Sequence, residues 1–143
     1  MGGIRESVHV AGSPVEVFDF VTDQRRVAEW NDHVQYVEVI GGGPVEVGTR
    51  LRHHRRRGKR EFDLEFEVTA HERPSRHAVE GSVFGVATTM TFLITQVDGG
   101  SSVTMDAYVR ARGVRRVLAP IVSQEMRKST VAALNNLRRI LAG

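Results

Sequence analysis

From Arg112 to Gly143 the chain reads as one long amphipathic helix, and a helix of that kind is stable only against a large apolar surface. Its apolar positions run through Val114, Val117, Leu118, Ile121, Val122, Met126, Val131, Ala133, Leu134, Leu137, Ile140 and Leu141 at three- and four-residue steps. The other face carries Arg115, Arg116, Arg127, Lys128, Arg138 and Arg139, whose late cations suit a helix C-terminus, and Gly143 closes the segment. Pro120 has no N–H to donate and its ring clashes with the preceding turn, so a kink or a fresh helix start is expected there.

The surface for that helix has to come from the residues before it, and these alternate. Ile4 to Val10 reads as an opening strand. Ser13-Pro14 then starts a helix, with Ser13 as N-cap and Glu16 in its first turn, and with Val15, Phe18, Phe20 or Val21 on its buried side. Asp23 caps a second short helix, Gln24 to Glu29, that ends at Trp30-Asn31-Asp32. Strands are expected over Val34 to Ile40 and from Thr49 to Arg55, followed by a turn at Arg57-Gly58-Lys59. Beyond that turn lies the clearest alternation in the chain: Phe62, Leu64, Phe66 and Val68 point one way, Glu61, Asp63, Glu65 and Glu67 the other. Further strands read from His77 to Gly81, Gly85 to Val97 and Val103 to Val109, the last two joined at Asp98-Gly99-Gly100. The order is one strand, two short helices, a run of antiparallel strands and a long helix, an α+β arrangement.

At 143 residues one domain, residues 1 to 143, is expected, long enough to bury roughly two-thirds of its unfolded surface without staples. There is no cysteine, so disulfides, thiolate metal sites and thiol nucleophiles are excluded. The six histidines show no ligand spacing on one element, no glycine-flanked serine suggests a hydrolase, and Gly41-Gly42-Gly43-Pro44 lacks the Lys-Ser/Thr ending of a phosphate loop. No metal and no cofactor are expected. The apolar runs are too short to cross a bilayer and no signal-peptide core follows Met1, so the expected compartment is the cytoplasm. The net charge is only +3, yet Arg50 to Arg60 holds Arg50, Arg52, Arg55, Arg56, Arg57, Lys59 and Arg60. That density suits either a solvated hairpin tip or an anionic partner such as RNA. The acidic row on the neighbouring strand faces it and reads as cross-strand ion pairing rather than as a catalytic carboxylate pair.

Several marks in this order resemble the START-like superfamily (SRPBCC, the polyketide cyclase/dehydrase and lipid-transport proteins, which include the birch-pollen allergen). They are Pro14-x-x-x-Phe18, Asp23 followed by Trp30, Gly42-Gly43-Pro44-Val45-x-Val47-Gly48-Thr49, Glu72-Arg73-Pro74, and Gly99-Gly100-Ser101-Ser102-Val103-Thr104, where Ser102 stands in place of the commoner threonine. The resemblance covers nearly the whole chain. It implies a helix-grip: a curved seven-stranded antiparallel sheet wrapped around the C-terminal helix, with two short helices after the first strand. It also implies a cavity for a lipid, polyketide or similar hydrophobic or amphipathic molecule.

On that fold, strand parity selects a lining of Leu51 and His53, then Phe62, Leu64 and Phe66, then Met90, Phe92 and Met105, answered by Ile121, Val122 and Glu125 or Met126 from the helix, with Trp30 at the mouth or anchoring the short helices. His53 and Glu125 are the candidate proton-moving groups. His53 is read either as lining the cavity or, the more favoured given the arginines beside it, as facing water on the basic hairpin; Glu125 either turns into the cavity or, again the more favoured, pairs with its helix neighbours Arg127, Lys128 or Ser129. Three functions remain open: a carrier or sensor of a hydrophobic small molecule, an enzyme of the polyketide cyclase or dehydratase type, and a factor docking an anionic partner at Arg50 to Arg60. An exposed edge strand would also allow a homodimer.

Overall fold

The computed structural model describes residues 2–142. Met1, and the Gly143 expected to close the terminal helix, lie outside the described residues. Strand β1 (Gly2–Val10) leads into helix α1 (Pro14–Thr22), a 3-10 turn (Gln24–Arg26) and helix α2 (Val27–Trp30). Strands β2 (Val34–Ile40), β3 (Arg50–Arg57), β4 (Arg60–Glu72), β5 (Arg76–Val83), β6 (Val86–Val97) and β7 (Gly100–Arg110) follow. A second 3-10 turn (Gly113–Val117) precedes the last helix, α3 (Ala119–Leu141).

The local signals act through ordinary hydrogen bonds. Glu16 N donates to Ser13 Oγ at 3.3 Å and Ser13 Oγ donates to Glu16 Oε1 at 3.1 Å, which closes the N-terminus of α1. Asp23 accepts from Arg25 N at 3.1 Å and caps the next turn. That turn is 3-10 over Gln24–Arg26 before it becomes α2, so the expected second helix is split in two. One inward residue of α1 differs from expectation. Val15 is 41% exposed, and Val17, fully buried, takes its place beside Phe18, Phe20 and Val21. Inside a first turn that faces solvent, position 17 lies on the same helical face as 18, 20 and 21, and position 15 does not.

The seven strands form one curved antiparallel sheet in the order β1-β7-β6-β5-β4-β3-β2. First and last strands meet, with Val8 opposite Val103 and Ile4 opposite Ala107. Two register shifts, at Val34/Tyr36 between β2 and β3 and at Val68/Ala70 between β4 and β5, add local twist and help bend the sheet. Gly81 sits opposite Phe66, and a Cβ there would collide with the Glu65 carbonyl oxygen and the Phe66 ring. Only glycine permits so close an approach of the two strands.

The concave face of this sheet receives α3, which runs closest to β1 and β7. Leu137, Leu134 and Ala133 pack there with Val8, Val10, Val103, Phe92, Ile94, Phe18 and Trp30. A smaller cluster of Val86, Val109, Ala111, Ala119 and Val122 holds the start of the helix. The expectation of a single helix from Arg112 is corrected: Pro120 stands in the first turn of α3, and the residues before it form the separate 3-10 turn. The apolar stripe stops with it. Val114 is 88% and Val117 74% exposed, because the change of winding before Pro120 rotates them off the packed face. Asn136, buried on the packed face, donates from Nδ2 to the Trp30 carbonyl at 3.0 Å and to Asp32 Oδ1 at 3.1 Å, and its own Oδ1 accepts from Arg139 at 2.7 Å. This polar latch fastens α3 to the end of α2.

Candidate functional site

Because α3 covers the β1 and β7 side of the saddle, the concave faces of β3 to β6 are left facing a gap. It is a cavity of about 190 Å³ that meets solvent beside the exposed Phe84 and Ile121. All twelve residues expected to line such a space, Trp30, Leu51, His53, Phe62, Leu64, Phe66, Met90, Phe92, Met105, Ile121, Val122 and Glu125, lie around it. Met126 does so too, so the choice between Glu125 and Met126 resolves to both. The Trp30 ring stands edge-on to Phe92 with centroids 5.8 Å apart, buried and at the cavity wall at once.

Strand β3 gives the site its polarity. Its even positions turn outward into an ion-pair ladder: Arg50 to Glu65 at 3.0 Å, Arg52 to Glu65 at 3.3 Å and to Glu38 at 3.5 Å, and His54 Nδ1 to Asp63 at 2.7 Å. Glu65 and Asp63 of the acidic row are therefore held in cross-strand ion pairs, as their placement implies. The odd positions, Leu51, His53, Arg55 and Arg57, turn into the cavity. Of the two positions open to His53, the favoured one on a solvated hairpin gives way to the cavity: it is buried, edge-on to Phe66 at 5.0 Å. A period of two fixes its side as firmly as that of Leu51, and neighbouring charge does not alter it.

Burial, with Arg55 and then His54 adding to it, pushes the pKa of His53 down to about 3, so the ring is neutral. Arg55 Nη2 lies 3.4 Å from His53 Nδ1. A guanidinium only donates, so Nδ1 accepts and the proton of the neutral ring sits on Nε2. His53 is thus better suited to donate a hydrogen bond than to take a proton at neutral pH. Arg55 itself stands between Val34 on β2 and Phe62 on β4, with no acid opposite. Burial lowers its pKa to about 10, which leaves it cationic at neutral pH.

At the open end Glu125 forms a 2.8 Å ion pair with Arg57, bridging α3 to β3. The expected partners Arg127, Lys128 or Ser129 are replaced because the cavity wall brings a cation across from the sheet; Arg127 instead reaches Glu6 at 3.6 Å. Phe84, held at φ 51° in the tight β5–β6 turn, sits at the same rim 5.6 Å from Phe62. Deeper in, His77 faces His71 with their Nδ1 atoms 3.0 Å apart, and burial, then His71, pushes His77 down to about 4.

Arg55, Arg57, His77 and Phe84 escaped sequence reasoning. The first two carried a signal, since parity from Leu51 and His53 continues to them, but the density of the basic run masked it. Phe84 carried none, because nothing in its neighbours announces a positive φ. Among the described residues no three His, Asp or Glu side chains gather as a metal set would require. No helix of the described residues is long and apolar enough to cross a membrane.

A seven-stranded saddle closed on one helix, with a mostly apolar cavity between the two, is the helix-grip architecture. The chain belongs to the family described as polyketide cyclase/dehydrase and lipid transport, whose model it matches over residues 1–142. No protein among the curated sequences matches it. Among solved structures it is similar to the di-domain ARO/CYC BexL from the BE-7585A biosynthetic pathway, at a TM-score of 0.81 and 14% identity. That likeness covers 97% of this chain and 46% of BexL, so the chain spans about half of that protein. It is also similar to the ZhuI aromatase/cyclase from Streptomyces sp. R1128, with a TM-score of 0.76, 15% identity, and 98% and 93% of the two chains covered. Ara h 8.0201 gives a TM-score of 0.76 and 13% identity over 98% and 97%. At such identities the shared property is the fold.

Proposed function

We propose that this chain binds a hydrophobic or amphipathic small molecule, a lipid, polyketide or similar compound, between its sheet and α3. The observation that carries this reading is the cavity itself, walled by Leu51, Leu64, Phe66, Met90, Phe92 and Met105 yet left unfilled. Interiors normally pack to crystal density, so an apolar gap at the centre of a fold is a place for a guest. Met90 and Met105 add walls that reshape around different guests. The volume of about 190 Å³ lies below the roughly 300–1,000 Å³ common for ligand pockets. The guest is therefore small, or its tail passes the rim between Phe84 and Ile121.

The neutral fluorophore 1-aminoanthracene tests the reading. It is expected to bind with enhanced emission, and Leu64→Trp, which fills the cavity from β4, is expected to weaken it by at least about tenfold. Native mass spectrometry of protein from its own cells should show a retained small molecule that the Leu64→Trp variant lacks. Absence of fluorophore binding to the unaltered protein, or binding indifferent to the filled cavity, would refute it.

The cyclase or dehydratase reading has one observation in its favour, the entry of His53, Arg55 and Glu125 into a single cavity. In that reading the donors orient an enolisable chain, and Glu125 is the group to accept a proton. The Arg50–Arg60 docking reading is weaker than its sequence density suggests, since Arg50, Arg52 and Arg57 are paired within the chain and Arg55 lines the cavity.

A further inference from the structure

We propose that the cavity's guest carries a single carboxylate, seated on Arg55 and His53. This rests on the small-molecule reading above and names the chemistry of its guest. Among the described residues, two buried side-chain polar atoms have no hydrogen-bond partner in the protein, Arg55 Nε and Trp30 Nε1. Both are donors, and both belong to residues that wall the cavity. His53 adds a third, because its Nδ1 is taken by Arg55 and its proton is left on Nε2. These donors are left without an acceptor in the protein.

The charge is one-sided as well. Of the charged residues at the cavity, Arg57 and Glu125 neutralise each other at the rim. Arg55 enters no ion pair among the described residues, and its cross-strand neighbours, Val34 and Phe62, are apolar. A cation held beside apolar surface is costly unless an anion joins it. One uncompensated positive charge matches one negative charge, and the planar fork of a guanidinium matches the two oxygens of a carboxylate. The apolar walls beyond Arg55 then take the rest of the molecule, with Phe84 and Ile121 covering what leaves the mouth.

Displacement of 1-aminoanthracene at pH 7.5 by decanoate, decanol and decylamine separates the possibilities. Decanoate is expected to bind about tenfold or more tighter than decanol, as charge-assisted pairing in a shielded site requires, and decylamine weakest of the three. In Arg55→Met, which keeps an unbranched apolar stem and removes the guanidinium, the advantage of decanoate should fall below about threefold while decanol stays near its original affinity. Arg52→Gln, on the outer face, should keep the full advantage and so exclude a general effect of surface charge. The comparison of ligands on the unaltered protein stands by itself if Arg55→Met fails to fold. Equal binding of decanol and decanoate, or an advantage that survives Arg55→Met, would overturn the carboxylate while leaving the small-molecule reading intact. Failure of 1-aminoanthracene, decanol and decanoate alike to bind would overturn both.

Discussion

Two buried histidines make the protein's stability depend on pH. In the unfolded chain an imidazole titrates near 6.5, whereas His53 and His77 are held down to about 3 and about 4, chiefly by burial. Between those limits the unfolded chain binds more protons than the folded one, so stability rises with pH there and falls on acidification. It is fully present above about pH 6.5 and declines at up to about 1.4 kcal/mol per pH unit for each histidine until the folded pKa values are reached. Urea unfolding at pH 7 and pH 5 should therefore differ by on the order of 2 kcal/mol per histidine. His53→Gln and His77→Gln should each flatten the difference, and a pH-independent midpoint in the unaltered protein would contradict the burial argument. Neither shift is visible in the sequence. His53 looks solvated because five cations crowd within four residues of it in one dimension, and only the pleat divides that crowd between two faces. Arg55 is the sharper case, since one side chain moves from a surface charge to the cavity wall on parity alone.

Among the elements, α3 separates what packs from what merely continues a pattern. Leu137 is completely buried in one core cluster with Phe18, Trp30 and Val103, and Leu137→Ala is expected to cost about 2–5 kcal/mol by lost transfer energy and the hole left behind. Val117, equally apolar and in the same sequence stripe, is 74% exposed, and Val117→Ser should change stability by less than about 0.5 kcal/mol. Thermal or urea denaturation of the two variants side by side measures the contrast. Equal effects would mean that the packed face begins before Pro120. The proline was legible as a break. Which side of it lost its packing was not, because the pattern of apolar residues crosses Pro120 without interruption. The strands were the more readable elements: Val34–Ile40 falls where alternation places it, and β4 keeps Leu64, Phe66 and Val68 buried with Glu61, Asp63, Glu65 and Glu67 outside. The same regularity hid the bulges, since one extra residue at Val68/Ala70 leaves no mark in composition.

The whole molecule is closed by its two most distant strands, with Gly2 opposite Val109 and Val10 opposite Ser101. Such pairing pays a large loop-closure cost before any contact rewards it, so folding is expected on a time of roughly milliseconds to seconds rather than microseconds. Trp30, the single tryptophan and 4% exposed, reports that closure by stopped-flow fluorescence, and a relaxation complete in microseconds would exclude the late joining of β1 to β7. At this scale the sequence by itself determined the order of elements, the faces of the strands, the two helix starts and an α+β class, because these follow from local periodicity, capping and backbone chemistry within a few residues, while the helix-grip was implied by the family resemblance of its marks. Only the tertiary structure decided how far α3 slides toward β1 and β7, and hence that a gap remains over β3 to β6, that Glu125 meets Arg57 and that Arg55 stands in apolar surroundings. These depend on the curvature summed over seven strands and on pairings a hundred residues apart, which no local stretch of sequence encodes.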